Sequence, residues 1–150
     1  MKVVINKCYG GFSLSPKAVR VLAERKGKPC FFFMGPERKP ASEEQAAGEL
    51  FWNAYTVPNP DEVAISQANW KSMSLTERRE SNESWNAITL ESRPRDRTDP
   101  DLIAVVEMLG DEASGECANL KVVEIPDGVE WEIGEYDGLE EVREAHRTWS

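Results

Sequence analysis

The sequence predicts an α+β fold: a small mixed or antiparallel sheet with about three helices packed on it. Three observations carry this. Short β-branched runs alternate in the manner of strands at residues 2–7 (KVVINK) and 120–125 (LKVVEI). Apolar residues recur at helical spacing at Ala18, Val19, Leu22 and Ala23, and again at Leu102, Val105, Val106 and Leu109. Strands and helices do not alternate cleanly, which argues against a doubly wound sheet. The 150 residues read as a single domain, with 36–96 a polar excursion or insertion within it.

The elements follow in order. Residues 2–7 form the first strand, with Val3 and Ile5 alternating against Val4 and Asn6. The chain turns at Cys8-Tyr9-Gly10-Gly11. Ser15 then caps a helix over 15–26, with Pro16 at its first position and Gly27 at its end. The run PCFFFM at 29–34 is short and aromatic, hence a buried strand. In the middle, a short helix is expected around 43–48, an extended piece over 50–57, a polar helix over 75–84 behind the capping box Ser74-Leu75-Thr76-Glu77, and a strand over 85–90. Asp99-Pro100 opens a helix over 100–112. Strands follow at 119–125 and 129–135, separated by the turn Pro126-Asp127-Gly128. Asp137-Gly138-Leu139-Glu140 is read as the cap of a last helix, 138–147, with Leu139, Val142 and His146 on one face. The segments 2–7, 29–34, 119–125 and 129–135 are expected to share one sheet.

Charge is segregated along the chain. Residues 99–150 carry fifteen Asp and Glu against Lys121, Arg143 and Arg147, a net of −12, whereas residues 1–98 sum to +3. Such a split favours a long-range field that selects partners. The overall acidity disfavours direct nucleic-acid binding, since it repels phosphate. No apolar run approaches 18 residues, so no membrane span is expected, and the N-terminus does not resemble a signal peptide. Three widely spaced cysteines and a single histidine make no disulfide framework and no zinc-ligand cluster. The pattern calls for no metal and no cofactor.

Four groups of residues are candidates for function, each with a structural alternative. Tyr9, Gly10, Gly11 and Phe12 join a strand to a helix, and two glycines let backbone approach an anion closely. The alternative is a tight turn with positive φ. Arg93, Arg95 and Arg97 recur at every second position and share a side of an extended backbone, so they form the best candidate anion site. The alternative is pairing with the acidic final third. Trp52, Trp70 and Trp85 suit either interface anchors or core positions. Glu130, Glu132, Glu135, Asp137, Glu140 and Glu141 offer a partner-binding acidic face, a DNA-like row of charge, or simply a solvated surface. A Cys8–His146 nucleophile–base pair needs the two ends of the chain to meet, and no catalytic residue is assigned.

Two blocks, KVVINKCYGGFSLS and RTDPDLIAVVEMLGDEASG through LKVVEIPDGVEWEIGEYDGLEEVREAHRTW, resemble a family of small non-virion accessory proteins of tailed bacteriophages. The resemblance implies a protein made in the cytoplasm of an infected bacterium. It implies no reaction. A binder that modulates a host protein, such as a defence-system component, is the expected role. The alternative from another class is a sponge for a small anionic ligand such as a nucleotide or cyclic nucleotide signal.

Overall fold

A computed structural model describes residues 1–145. Along the chain run β1 (Lys2–Asn6), α1 (Pro16–Arg25), β2 (Phe31–Met34), β3 (Lys39–Ala41), α2 (Glu43–Ala47), β4 (Trp52–Tyr55), α3 (Pro60–Val63), α4 (Leu75–Ile88), β5 (Thr89–Leu90), α5 (Pro100–Leu109), β6 (Leu120–Glu124), β7 (Trp131–Tyr136) and β8 (Leu139–Glu144). The fold is α+β, and every strand pairing among the described residues is antiparallel. No helix among those residues is long and apolar enough to cross a membrane.

The chain divides into two compact units. Unit 1 takes residues 1–26 and 92–150, and unit 2 takes 27–91. The excursion expected over 36–96 overlaps most of unit 2, which also includes β2.

Unit 1 is built on the β1–β6 ladder, with Val4 opposite Val122. Helices α1 and α5 pack on each other, and α5 packs on both strands. Val3, Val4, Ile5, Leu14, Ala18, Val19, Leu102, Val105, Val106 and Leu120 form the core. The local signals act as expected. Ser15 Oγ accepts the Ala18 N–H at 3.1 Å, and Pro100 follows the capping Asp99. In β1, however, Val4 and Asn6 are as buried as Val3 and Ile5. The strand is covered on both sides because β8 also lies against it.

Unit 2 has its own core around the sheet β3-β2-β4-β5. Phe33, Tyr55, Ala64 and Ile88 pack together, flanked by Val57 and Trp85. Phe32 and Ala54 are buried on the opposite face, and α2 packs on β2. Both α2 and α4 begin with complete capping boxes, Ser42–Gln45 and Ser74–Glu77.

Three expectations need correction. The four segments assigned to one sheet fall into three: 31–34 pairs within unit 2, while among the described residues β7 pairs only with β8. The helix expected over 138–147 is strand β8, and residues 146–147 lie outside the described residues. The cause is the Asp137-Gly138 turn. Both residues have positive φ, 51° and 89°, the type I′ geometry that folds two strands back on each other. Finally, the strand expected over 85–90 is reduced to Thr89–Leu90, because α4 runs on to Ile88.

Candidate recognition surface

The polar centre of unit 1 forms where β1, β8 and the segment before α5 converge. Asn6 is fully buried and fully used. Its Nδ2 donates to Cys8 O and Gly138 O, both at 2.7 Å, and its Oδ1 accepts the Asn119 N–H at 2.9 Å. The Asn6 backbone N–H donates to Glu140 Oε1 at 2.8 Å. Glu140 is 5% exposed, and Arg97 grips both of its oxygens, at 2.7 and 3.1 Å. The Arg97 guanidinium also lies 3.7 Å from the centre of the Phe12 ring and donates to Pro94 O and Val4 O. This is a buried, bidentate ion pair with its lone pairs occupied, the arrangement in which such a pair is retained.

That geometry decides much about the anion candidates. Arg97 is engaged by Glu140 and Phe12, which is the structural alternative. Arg93 and Arg95 stay exposed and have no ion-pair partner among the described residues. Gly10 and Gly11 have φ of 126° and 93°, and Gly10 donates its N–H to Asp137 O. A Cβ on Gly138 would strike the backbone nitrogens of both. The two glycines therefore admit the hairpin turn against the backbone. Tyr9 beside them is 59% exposed. Cys8 is half-buried, with its thiol donating to Tyr9 O at 3.4 Å, while His146 lies outside the described residues.

The three tryptophans of unit 2 are all half-buried and engaged. Trp52 meets Phe32 edge-on at 5.8 Å. Trp85 Nε1 donates to Ile65 O at 2.8 Å, and the ring sits under Arg38 at 4.3 Å. Trp70 carries Arg78 at 5.2 Å. Their contacts are those of a packed framework.

The charge split is largely cancelled by folding. Unit 1 holds twelve basic and seventeen acidic residues and unit 2 six and ten, for nets of −5 and −4. Lys2, Lys17, Arg25 and Lys26 pair with Glu107, Glu112, Asp101 and Asp99. The Met1 ammonium pairs with Asp127, and Arg143 pairs with Glu132. Glu141 stands farther from Arg143, at 3.8 Å. Among the described residues, Asp111, Glu116, Glu124, Glu130, Glu135, Asp137 and Glu144 keep no such partner. Four of these seven belong to the β7–β8 hairpin or its flanks, so this is where free negative charge concentrates.

The Asp99–Lys26 pair has a pH consequence. Asp99 accepts the Asp101 N–H at 3.0 Å and the Lys26 ammonium at 2.7 Å. Partial burial pushes its carboxyl up, but Lys26 and the backbone N–H groups outweigh burial and hold it below the ordinary 3.8. A lowered carboxyl stabilises the fold above its unfolded value and ceases to do so as pH falls through the folded value. Urea unfolding of the wild type should therefore weaken below about pH 4. Asp99→Asn, which retains a capping side chain, should show a shallower acid limb.

The hairpin also carries a feature that sequence reasoning missed. Arg143 lies flat over Gly134, where a Cβ would stand 3.1 Å from the guanidinium carbon. Next to it is a cavity of about 280 Å³ lined by Lys7, Tyr136, Leu139, Glu141 and Arg143. Tyr136 is 77% exposed. The Asp-Gly dipeptide between alternating runs was the available signal for this hairpin. Among the described residues no group of His, Cys, Asp or Glu is placed to hold a metal ion. Comparison of the chain with protein-family models, with curated proteins and with solved structures yields no match.

Proposed function

We propose that this chain is a non-enzymatic accessory protein of the tailed-phage type, acting in the cytoplasm of the infected bacterium by binding and modulating a host protein. The observation that supports this reading is the hairpin. Glu135 and Asp137, on either side of the exposed Tyr136 in sequence, and Glu130 and Glu144, at the far end of the hairpin, have no ion-pair partners among the described residues. An exposed aromatic side chain between two free carboxylates, on a hairpin with further free acid at its other end, suits an interface anchor with electrostatic steering. A component of a host defence system with a basic surface is the class of partner that fits.

The test is affinity capture from bacterial lysate with wild-type protein and with a Glu135→Lys, Tyr136→Ala variant. Both positions are exposed, so the variant should fold normally. The expected result is a protein retained by the wild type at low salt, released at high salt and missing from the variant. Equal capture by both proteins removes the hairpin from the account.

A further inference from the structure

The register of the hairpin determines which backbone groups face outward. The Ala145 N–H donates to Glu130 O. The hydrogen-bonded pairs are therefore Glu132–Arg143, Gly134–Glu141 and Tyr136–Leu139. Trp131, Ile133 and Glu135 direct their N–H and C=O groups away from β8. No backbone or side-chain group among the described residues meets them. The other strand, β8, lies against β1, with Glu140 bonded to the Asn6 N–H. The open side of the hairpin is thus β7, an edge six residues long with three outward donors and three outward acceptors.

We propose that the β7 edge takes an extended, basic segment of a partner protein as an added strand. This rests on the recognition role above and specifies the chemistry of its partner. Main-chain bonds to an open edge provide affinity, and the alternating side chains provide selectivity. Charge selects the occupant. Glu130 and Glu135 flank the edge on opposite faces, Asp137 follows it, and Glu144 stands opposite Trp131, all four without ion-pair partners among the described residues. A second copy of this chain would lay another acidic strand along this one, with no lysine or arginine from Glu130 to Asp137 to offset Glu130, Glu132 and Glu135, and like charges brought together across a ladder destabilise it. A segment with lysine or arginine on both faces meets acid on both. The half-buried Trp131 and Ile133 offer apolar contact between those charges.

The experiment is amide hydrogen exchange on the whole chain, with and without a blocked octapeptide of repeated Lys-Lys-Val-Val, which puts lysine on both faces of an extended strand, at millimolar concentration. Exchange at Trp131, Ile133 and Glu135 should slow by about tenfold, as expected at a ligand excess of roughly ten over Kd. A peptide of the same charge with alternate amides N-methylated, which cannot pair along the edge, should leave them unchanged. Ile133→Pro deletes one outward donor while sparing the bonds to β8, and edge strands accept proline at such positions. It should abolish the slowing at Trp131 and Glu135. Slowing by the N-methylated peptide or by a glutamate–valine peptide, or no slowing at all, overturns the proposal. A captured host protein that leaves these three amides unchanged overturns the edge but not the recognition role. Slowing by the lysine peptide with no charge-dependent capture from lysate sustains the edge and removes the host-binding role.

Discussion

Glu140→Ala is expected to cost unit 1 about 3–5 kcal/mol, a loss on the order of 10 °C in melting temperature. The carboxylate is the shared acceptor for the Asn6 N–H and for two guanidinium nitrogens of Arg97. Truncation leaves a donor and a full positive charge where little water reaches. The Arg97 side chain is 15% exposed in the folded chain. Removing one member of a buried pair costs far more than removing both. A Glu140→Leu, Arg97→Met double variant should therefore recover part of the loss, and the Asn6 N–H should still be short of an acceptor. Urea unfolding of the three variants, followed through the resonances of β1, checks this. A loss below about 1 kcal/mol for Glu140→Ala would mean that solvent reaches the pair freely.

The second large effect is expected at Gly138. Its φ of 89° strains any other residue, at a cost of about 1–3 kcal/mol. The turn leaves no room besides. An added Cβ would stand 2.6 Å from the Gly10 nitrogen and also strike that of Gly11, both of them backbone atoms. Gly138→Ala should push the hairpin tip away from the 8–12 loop and break the Asn6 Nδ2 bond to Gly138 O. The measurable results are a lowered melting temperature and faster amide exchange at Gly10, whose N–H is bonded to Asp137 O. By contrast, a Cβ on Gly128 meets nothing within 4 Å. Gly128→Ala has only its backbone strain to bear and should be the milder of the two.

Local signals were legible wherever the chain's own neighbours decide the structure. Ser15-Pro16 and Asp99-Pro100 open α1 and α5 as their capping chemistry requires. Ser74 and Glu77 complete their box around the start of α4. The error at 138–147 was a contest between two local rules. Asp-Gly-Leu-Glu can cap a helix, but it also follows the alternating run Trp131–Tyr136 and precedes Leu139–Glu144. The paired strands favour the hairpin reading once both flanks are weighed.

Contacts between distant positions were not legible. Nothing in RPRDR says that the third arginine is gripped by Glu140 while the first two face solvent. Spacing alone treats the three as equivalent. The same holds for charge. Lys2, Lys17, Arg25 and Lys26 precede the acidic third by a long stretch of sequence yet are folded onto it. The proposed anion and partner residues were therefore sorted by tertiary geometry. Arg97 and Glu140 hold the fold together, and Glu130, Glu135 and Asp137 remain at the surface.

The 134-position separation of Asn6 from Glu140 has a consequence for synthesis. At about 5–20 residues per second, the ribosome needs on the order of 10 s to make the acceptor after it has made the donor. Unit 2 lies wholly within that interval and is synthesised before β6 exists. An apolar nascent strand, Val3 to Ile5, thus waits in the cell without its ladder while a later segment acquires a core. That interval is the window in which chaperones, or a chance strand from another chain, have the best access to this protein.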